Sequence, residues 1–460
     1  MTDNSFASLP LAAEQLANLD SLGYREMTAI QAATLPLALA GRDLIAQAKT
    51  GSGKTAAFTL PLLANINPRD FGAQALILCP TRELASQVAV EIRRLARYRQ
   101  NIKVVVLCGG QPIGPQIGSL EHGAHIVVGT PGRIQDHLRK RTLSLARANT
   151  LVLDEADRML EMGFVDAIEQ IIEHTPRERQ TLLFSATYPD DILALSARFQ
   201  RDPKRVTVES LHSSAHIDQQ FFICSKPGRL DGLLTLLNHF RPTSAVVFCN
   251  TKQLVRDVCQ HLAGNGISAQ ALHGDLEQRD RDQVLIQFQQ RSCSVLVATD
   301  VAARGLDIDE LPAVINFELP RNAEVYVHRI GRTGRAGKRG LALSLFADSE
   351  RYKLEAIAGY QDTEIGFEAI ETIQVAGEYM PPPPCVTLCI AGGRKHKVRP
   401  GDILGALTGE AGIDGKAVGK INVTDYAAYV AIDRGVADKA LGRLLNGKIK
   451  GRKFKVRRLA

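Results

Sequence analysis

The sequence predicts an α/β protein made of two tandem, doubly wound parallel-sheet domains, closed by a small α+β domain. Three observations carry this reading. Short, β-rich apolar runs alternate with longer Ala- and Leu-rich amphipathic stretches through most of the 460 residues. Each run is a near-continuous Val/Ile/Leu segment, which is what a strand buried on both faces requires. Four consecutive prolines at 381–384 then break the rhythm, because neither a helix nor a central strand can hold them, and a differently patterned basic segment follows.

In chain order, DLIAQA, ALILCP, KVVVLCGG, HIVVGTP, TLVLDEAD, TLLFSAT and KRVTVE are the expected strands of a first domain over 1–209. A polar, turn-prone passage at 210–218 separates them from QQFFICS, SAVVFCN, SAQALHGD, SVLVATD, PAVINFEL and LALSLFA, the expected strands of a second domain over 218–362. Beyond residue 362 the pattern decays, and 363–384 read as a semi-rigid, Pro-rich linker. Residues 385–460 then give VTLCIAGG, a helical GDILGALTGEAG, GKINV, AAYVAI, a helical DKALGRLLNG and KFKVRRL. Strand, helix, strand, strand, helix, strand is an RRM-like order. The stretch Tyr426-Ala-Ala-Tyr429-Val-Ala-Ile432 lacks the aromatic pattern with which such a sheet stacks bases, so an atypical binding surface is expected.

Hydrophobic residues make up 45% and charged residues 23% of the chain, the composition of a globular protein able to bury sizeable cores. No run approaches the roughly 20 apolar residues of a membrane helix, and residues 1–10 have neither a basic nor an apolar leader pattern. A soluble, cytoplasmic protein with no membrane partner is expected. The eight cysteines are scattered without a CxxC pair and read as reduced core thiols, with a metal site from Cys385 and Cys389 as the minor alternative. Charge is unevenly spread. Residues 385–460 hold 16 Lys+Arg against 6 Asp+Glu, whereas the rest of the chain holds 40 against 43, so the net +7 belongs to the tail. A basic tail on a near-neutral body suits a polyanion.

The string Ala48-Lys49-Thr50-Gly51-Ser52-Gly53-Lys54-Thr55 follows an expected strand and precedes a helical stretch, the context in which a P-loop binds phosphates. Its glycines let backbone N–H groups face the phosphates. Lys54 would neutralise the β- and γ-phosphates of ATP, and Thr55 would offer a hydroxyl to Mg²⁺. Ala48 replaces the usual first glycine. Hydrolysis needs acids, and Leu151-Val152-Leu153-Asp154-Glu155-Ala156-Asp157 sets Asp154 at a strand end to hold Mg²⁺ through its water shell, with Glu155 to orient or deprotonate the attacking water.

Asp154 to Asp157 spell DEAD, and with AKTGSGKT the chain resembles the DEAD-box family of RNA-dependent ATPases and helicases. The resemblance spans most of residues 6–346 and implies two tandem RecA-like domains. Pro80-Thr81-Arg82-Glu83-Leu84, Gly109-Gly110 and Thr130-Pro131-Gly132-Arg133 match blocks that grip the RNA backbone, which implies RNA contacts from Arg82, Gly110, Thr130 and Arg133. Ser185-Ala186-Thr187 matches the block coupling ATP state to RNA, through Ser185 and Thr187. In the second domain, Gln278 with Arg281, Ala303-Arg304-Gly305-Leu306-Asp307 and His328-Arg329-Ile330-Gly331-Arg332-Thr333-Gly334-Arg335 match the remaining blocks. These imply RNA contacts from Gln278, Arg281 and Arg304, a nucleotide contact from Asp307, and arginine fingers at Arg332 and Arg335. Upstream, Gly23 to Gln31 resembles the adenine-reading motif, with Gln31 to pair with the adenine edge, Tyr24 to stack on it and Phe6 beside them. The family usually carries prolines where this chain has Met27 and Ala29.

Two basic clusters in the tail, Arg394-Lys395-His396-Lys397 and Lys448-Ile449-Lys450-Gly451-Arg452-Lys453, each lie beside an expected strand. Arg394, Lys395, Lys397, Lys448, Lys450, Arg452 and Lys453 are therefore candidate RNA anchors. The segment RPGDILGALTGEAGIDGKAVGKI resembles the C-terminal domain of one bacterial branch of the family. That resemblance implies binding to a 23S ribosomal RNA hairpin and work on the assembling large ribosomal subunit. Two other functions compete with an RNA-remodelling ATPase: a nucleotide-switched RNA chaperone or scaffold, and a DNA-directed helicase.

Overall fold

The computed structural model describes residues 4–48, 51–185, 187, 190–208, 217–303, 311–334, 339–375, 380–409 and 412–459. The chain divides into two compact units. The first is built on seven parallel strands: β1 (Leu44–Gln47), β2 (Ala75–Leu78), β3 (Val104–Leu107), β4 (Ile126–Gly129), β5 (Thr150–Asp154), β6 (Gln180–Ser185) and β7 (Lys204–Thr207). Their order across the sheet is β3-β4-β2-β5-β6-β1-β7. Alternate residues of each strand go to opposite faces. Ile77, Val128, Val152 and Leu182 pack with Phe58, Val88 and Ile92 from the helices Lys54–Asn65 and Arg82–Leu95. Leu76, Val127, Leu151 and Leu183 pack with Ile134, Ile168 and Ile171 on the other side. Burying each such side chain contributes about 1.5–3 kcal/mol, so both faces of the sheet must be covered.

The second unit repeats the scheme with β8 (Ile217–Ile223), β9 (Ala245–Cys249), β10 (Ala269–Leu272), β11 (Val295–Thr299), β12 (Ala313–Asn316), β13 (Gly340–Phe346) and β14 (Glu368–Ala369), again all parallel, in the order β10-β11-β9-β12-β13-β8-β14. Strand β14 lies in the segment expected to be a linker. The described parts of this segment, 363–375 and 380–384, are no free spacer: Ile370 and Met380 enter the core of this sheet, the Gln374 carbonyl meets His239 Nδ1 at 2.8 Å, and the Met380 N–H donates to Asn238 at 2.9 Å. Two apolar side chains carry the strapping, and a period-based reading of so irregular a stretch gives them no weight.

One buried cation organises the centre of this sheet. Arg329, 2% exposed on the helix Ala323–Ile330, uses all five of its donors. Nε and Nη2 reach the Asp300 carboxylate at 2.6 and 2.8 Å, Nη1 reaches Asn316 Oδ1 at 3.0 Å and the Glu318 carbonyl at 2.7 Å, and Nη2 also reaches Asn250 Oδ1 at 2.9 Å. Replacing Arg329 with Met strands these acceptors and a carboxylate. It should destabilise the protein by about 3–5 kcal/mol in urea unfolding, and Lys, with only three donors, should rescue little of that. Stability within 1 kcal/mol of wild type would contradict the assignment.

The same unit ends in a four-stranded antiparallel sheet of β15 (Cys385–Ile390), β16 (Val418–Val423), β17 (Ala428–Asp433) and β18 (Val456–Arg458), ordered β16-β17-β15-β18. The helices Pro400–Thr408 and Ala437–Asn446 cover one face through Ile403, Leu407, Ala440 and Leu444 against Leu388, Ile390, Val430 and Ile432. The other face, which an RRM offers to RNA, is covered by the second parallel-sheet domain. Ile286 of the helix Gln278–Gln289 packs on Cys389, Tyr429 and Leu459. Gln290, 2% exposed, donates to Asn422 Oδ1 at 2.9 Å and accepts from the Thr387 hydroxyl at 2.8 Å, while the Ser292 and Thr387 hydroxyls lie 2.6 Å apart. Among the described residues, no helix is long and apolar enough to cross a membrane.

Candidate nucleotide and RNA site

In the first unit the candidate residues collect at the carboxyl ends of the parallel strands, where open α/β sheets bind ligands. Strand order sorts them. Strands β1, β5 and β6 end at Gln47, Asp154 and Ser185, so Gly51, Ser52, Gly53, Lys54, Thr55, Glu155 and Thr187 follow from the β5-β6-β1 side. Strands β2, β3 and β4 end at Leu78, Leu107 and Gly129, so Arg82, Gly110, Thr130 and Arg133 follow from the β3-β4-β2 side. The candidate phosphate residues and the candidate polyanion residues thus share the carboxyl end of one sheet, with β5 at the junction of the two groups of strands.

Gly53 caps the helix Lys54–Asn65, whose first turn aims its N–H groups and partial positive charge toward the loop. Lys54 is 7% exposed and Asp154 3% exposed; neither the Lys54 ammonium nor Asp154 Oδ1 has a hydrogen-bond partner within the described protein. Burial pushes the Asp154 carboxyl up to about 6, against the pull of the Lys54 ammonium, and Glu155 adds to the rise. A buried ammonium and a buried carboxylate oxygen without protein partners fit a phosphate group and a divalent cation respectively, since burying bare charges is otherwise costly. Glu155 sits at φ 54°, ψ 52°, a left-handed conformation that is uncommon outside glycine, and its carboxylate lies 3.4 Å from Arg158 Nε.

Asp157 holds Thr187. Both the backbone N–H and the hydroxyl of Thr187 donate to Asp157 Oδ2 at 3.2 Å, while the Ser185 hydroxyl donates to the Thr187 carbonyl at 2.7 Å. The acidic string and the coupling block are therefore one hydrogen-bonded assembly. Asp157 was given no role by sequence reasoning, although its place as the last letter of the string was the available signal.

The segment expected to read adenine is folded against the loop that ends at Gly53. Gln31 accepts from the Thr28 N–H at 2.9 Å and donates to the Gly53 carbonyl at 3.1 Å, so one donor and one acceptor of its amide are used within the protein. Tyr24 donates to Glu91 at 2.5 Å, and burial, with Glu91 second, pushes its phenol well up. Phe6 lies in the core, edge-on to Tyr24 with centroids 6.1 Å apart. Met27, where the family resemblance leads one to expect proline, donates its N–H to the Asn4 carbonyl at 2.7 Å. A strap to the N-terminal segment stands where a ring would have stiffened the loop.

On the β3-β4-β2 side, Arg82 opens the helix Arg82–Leu95 and passes over Gly110 so closely that a Cβ there would sit 2.7 Å from Nη1; Gly110 is also at φ +71°. Arg82 Nε and Nη1 are buried without a hydrogen-bond partner within the described protein. Arg133 donates to the Gln111 carbonyl at 2.9 Å from the helix that Thr130 caps. In the second unit, Gln278 donates to Asp282 at 2.7 Å and Arg281 to the Ala302 carbonyl at 2.8 Å. Arg332 is buried in a turn whose backbone is pinned, its carbonyl accepting from the Leu311 N–H at 3.1 Å. Thr50, Arg304, Asp307 and Arg335 lie outside the described residues. In the tail, Arg394, Lys395, Lys397, Lys448, Lys450, Arg452 and Lys453 are all exposed.

A P-loop helix beside a strand-end Asp-Glu pair, on a parallel sheet that also carries arginines suited to phosphates, defines a nucleotide-hydrolysing enzyme that acts on nucleic acid. Comparison with known proteins gives the family. Residues 28–195 match the DEAD/DEAH box helicase model, 225–337 the helicase conserved C-terminal domain, and 387–458 the DbpA RNA binding domain. The ATP-dependent RNA helicase DbpA of Escherichia coli K12 is 53% identical over 451 residues, 97% of each chain. The DEAD-box ATP-dependent RNA helicase CshA of Bacillus subtilis is 45% identical over 354 residues, 77% of this chain and 72% of its own. The structure of S. cerevisiae Dbp5 bound to RNA and ADP BeF3 aligns with a TM-score of 0.73 at 31% identity, covering 80% of this chain and 95% of that one. The chain belongs to the DEAD-box ATP-dependent RNA helicase family. Within the family it has the DbpA architecture, two RecA-like domains followed by a DbpA RNA-binding domain, and it is an ATP-hydrolysing RNA helicase.

Proposed function

We propose that this helicase remodels 23S ribosomal RNA during large-subunit assembly in the cytoplasm, anchored by residues 385–460 and opening short neighbouring duplexes. The observation that carries the reading is the DbpA RNA binding domain over 387–458, together with the excess of Lys and Arg in that segment. Gly51, Ser52, Gly53 and Thr50 cradle the phosphates of ATP through backbone N–H groups, and Lys54 neutralises their charge. Thr55 and Asp154 would hold Mg²⁺, largely through its water shell, and the ion would supply positive charge against the phosphates. Glu155 orients and deprotonates the attacking water. Arg332 and Arg335 supply positive charge to the same group, and Asp307 contacts the nucleotide. Phe6, Tyr24 and Gln31 select adenine.

Arg82, Gly110, Thr130, Arg133, Gln278, Arg281 and Arg304 hold the RNA backbone, which gives affinity without sequence preference. Ser185 and Thr187 link this grip to the nucleotide through Asp157. Selectivity therefore falls to the tail. ATP hydrolysis by the intact chain should be stimulated more by a 23S ribosomal RNA hairpin fragment than by unrelated RNA of equal length. A chain ending at residue 384 should keep RNA-stimulated turnover and lose that preference. Equal preference with and without the tail would overturn the division of labour, and stimulation by single-stranded DNA equal to that by RNA would overturn the choice of substrate.

A further inference from the structure

We propose that Tyr426 is a stacking platform for an unpaired base, set on a rigid basic ledge made of three loops of the C-terminal domain. The inference rests on the reading of residues 385–460 as the RNA anchor and names the residue that would let this anchor distinguish a looped RNA from a duplex.

Three chain segments build the ledge. The loop 392–397 is pressed onto the tip of the β16–β17 hairpin: the N–H groups of Arg394 and Lys395 donate to the Thr424 and Asp425 carbonyls, both at 2.9 Å, and Arg394 Nη2 donates to the Val423 carbonyl at 2.9 Å. The approach is so close at Gly393 that a Cβ would fall 2.6 Å from the Asp425 carbonyl carbon. The third segment turns at Lys450-Gly451, where Ile449 and Arg452 exchange backbone hydrogen bonds at 2.8 and 3.1 Å. Lys450 Nζ donates to the Lys397 carbonyl at 3.3 Å, and Phe454 stands edge-on to His396 with centroids 6.1 Å apart. Lys397 and Lys450 hold φ of 61° and 52°, a left-handed backbone that persists only where the surroundings fix it.

The charges on this ledge are arranged for an anion. Asp425 lies 4.0 Å from Arg394 and Asp402 lies 3.9 Å from Lys450, so both acids face basic partners, while Lys395, Lys448, Arg452 and Lys453 are exposed. Tyr426 is 69% exposed on the same hairpin tip whose Thr424 and Asp425 carbonyls accept from the Arg394 and Lys395 N–H groups, a tip closed by the Thr424 N–H donating to the Ala427 carbonyl at 2.8 Å. Its ring and hydroxyl have no partner among the described residues. A lone exposed tyrosine is ordinary, but an open aromatic ring on a backbone-pinned tip that is held by a basic loop is the arrangement that binds single-stranded nucleic acid: cations track phosphates, and the ring accepts any base. The face an RRM would use instead has its own tyrosine, Tyr429, covered by Ile286.

The test measures binding of the intact chain to a labelled 23S ribosomal RNA hairpin with an unpaired loop, and to a blunt duplex of equal length, across a salt series. Tyr426→Ala should weaken hairpin binding between about 5- and 100-fold, with Tyr426→Phe within about twofold of wild type. Duplex affinity and the slope of log K against log salt should be unchanged by either. The double variant Lys448→Ala, Lys453→Ala should instead lower that slope by about two for the two phosphates released. If Tyr426→Ala binds like wild type while the lysine variant weakens, stacking is wrong and the anchor stands. If neither weakens, or if wild type fails to prefer the hairpin, the anchor reading itself falls. Equal losses for Ala and Phe would assign the effect to the hydroxyl and overturn stacking as well.

Discussion

Glu155→Gln should lower RNA-stimulated phosphate release by about 10²–10⁴-fold while leaving ATP and RNA affinity near wild type. The amide keeps the shape of the acid but removes its charge, one of its two acceptor oxygens and its ability to take a proton. The backbone at Glu155 is already left-handed, at φ 54°, and Gln meets the same conformational cost, so the fold should not shift. The lost ion pair with Arg158 is buried at both ends, which warrants a melting measurement beside the kinetics. A variant that hydrolyses ATP at the wild-type rate would show that another group activates the water. One that no longer binds RNA would show that Glu155 shapes the grip rather than the chemistry. Slow turnover with binding intact would also argue against a scaffold in which nucleotide only switches affinity, because a scaffold loses nothing when the base is disabled.

The two parallel sheets were legible because their central strands are uninterrupted apolar runs: strands such as Ala75–Leu78 and Val295–Thr299 are buried along their whole length. The P-loop and the acidic pair were legible because their chemistry needs fixed residue types at fixed spacing. What the sequence hid were partnerships between distant positions. Gln290 looks like any helix-end glutamine, yet it is buried against Thr387, 97 residues away. Residues 363–384 have no period, yet Ile370 and Met380 fasten them to a core. Arg329 sits three residues before Arg332 in one basic block, and nothing in the string says that the first is wholly consumed by five acceptors inside its own domain. The sequence suggested an adenine-facing amide at Gln31, but the hydrogen bond from that amide to the Gly53 carbonyl depends on how two loops meet.

That contrast between two arginines gives the second large effect. Arg332→Ala should reduce turnover at saturating ATP and RNA by about 10³-fold or more, the scale at which a guanidinium stabilises charge in phosphoryl transfer. The backbone at this position is held independently of the side chain, by the Arg332 carbonyl accepting from the Leu311 N–H and by the Thr333 hydroxyl donating to the Leu311 carbonyl. These bonds should keep the turn in place after truncation, and a melting curve recorded beside the kinetics separates the stability that this buried side chain contributes from its part in the chemistry. Lys at 332 should recover little, because a point charge does not reproduce a planar fork that meets two phosphoryl oxygens together. ATP affinity separates the remaining possibilities. If it falls as steeply as turnover, Arg332 binds the ground state and the barrier is lowered elsewhere; if turnover alone falls, the charge acts where the phosphoryl bond breaks.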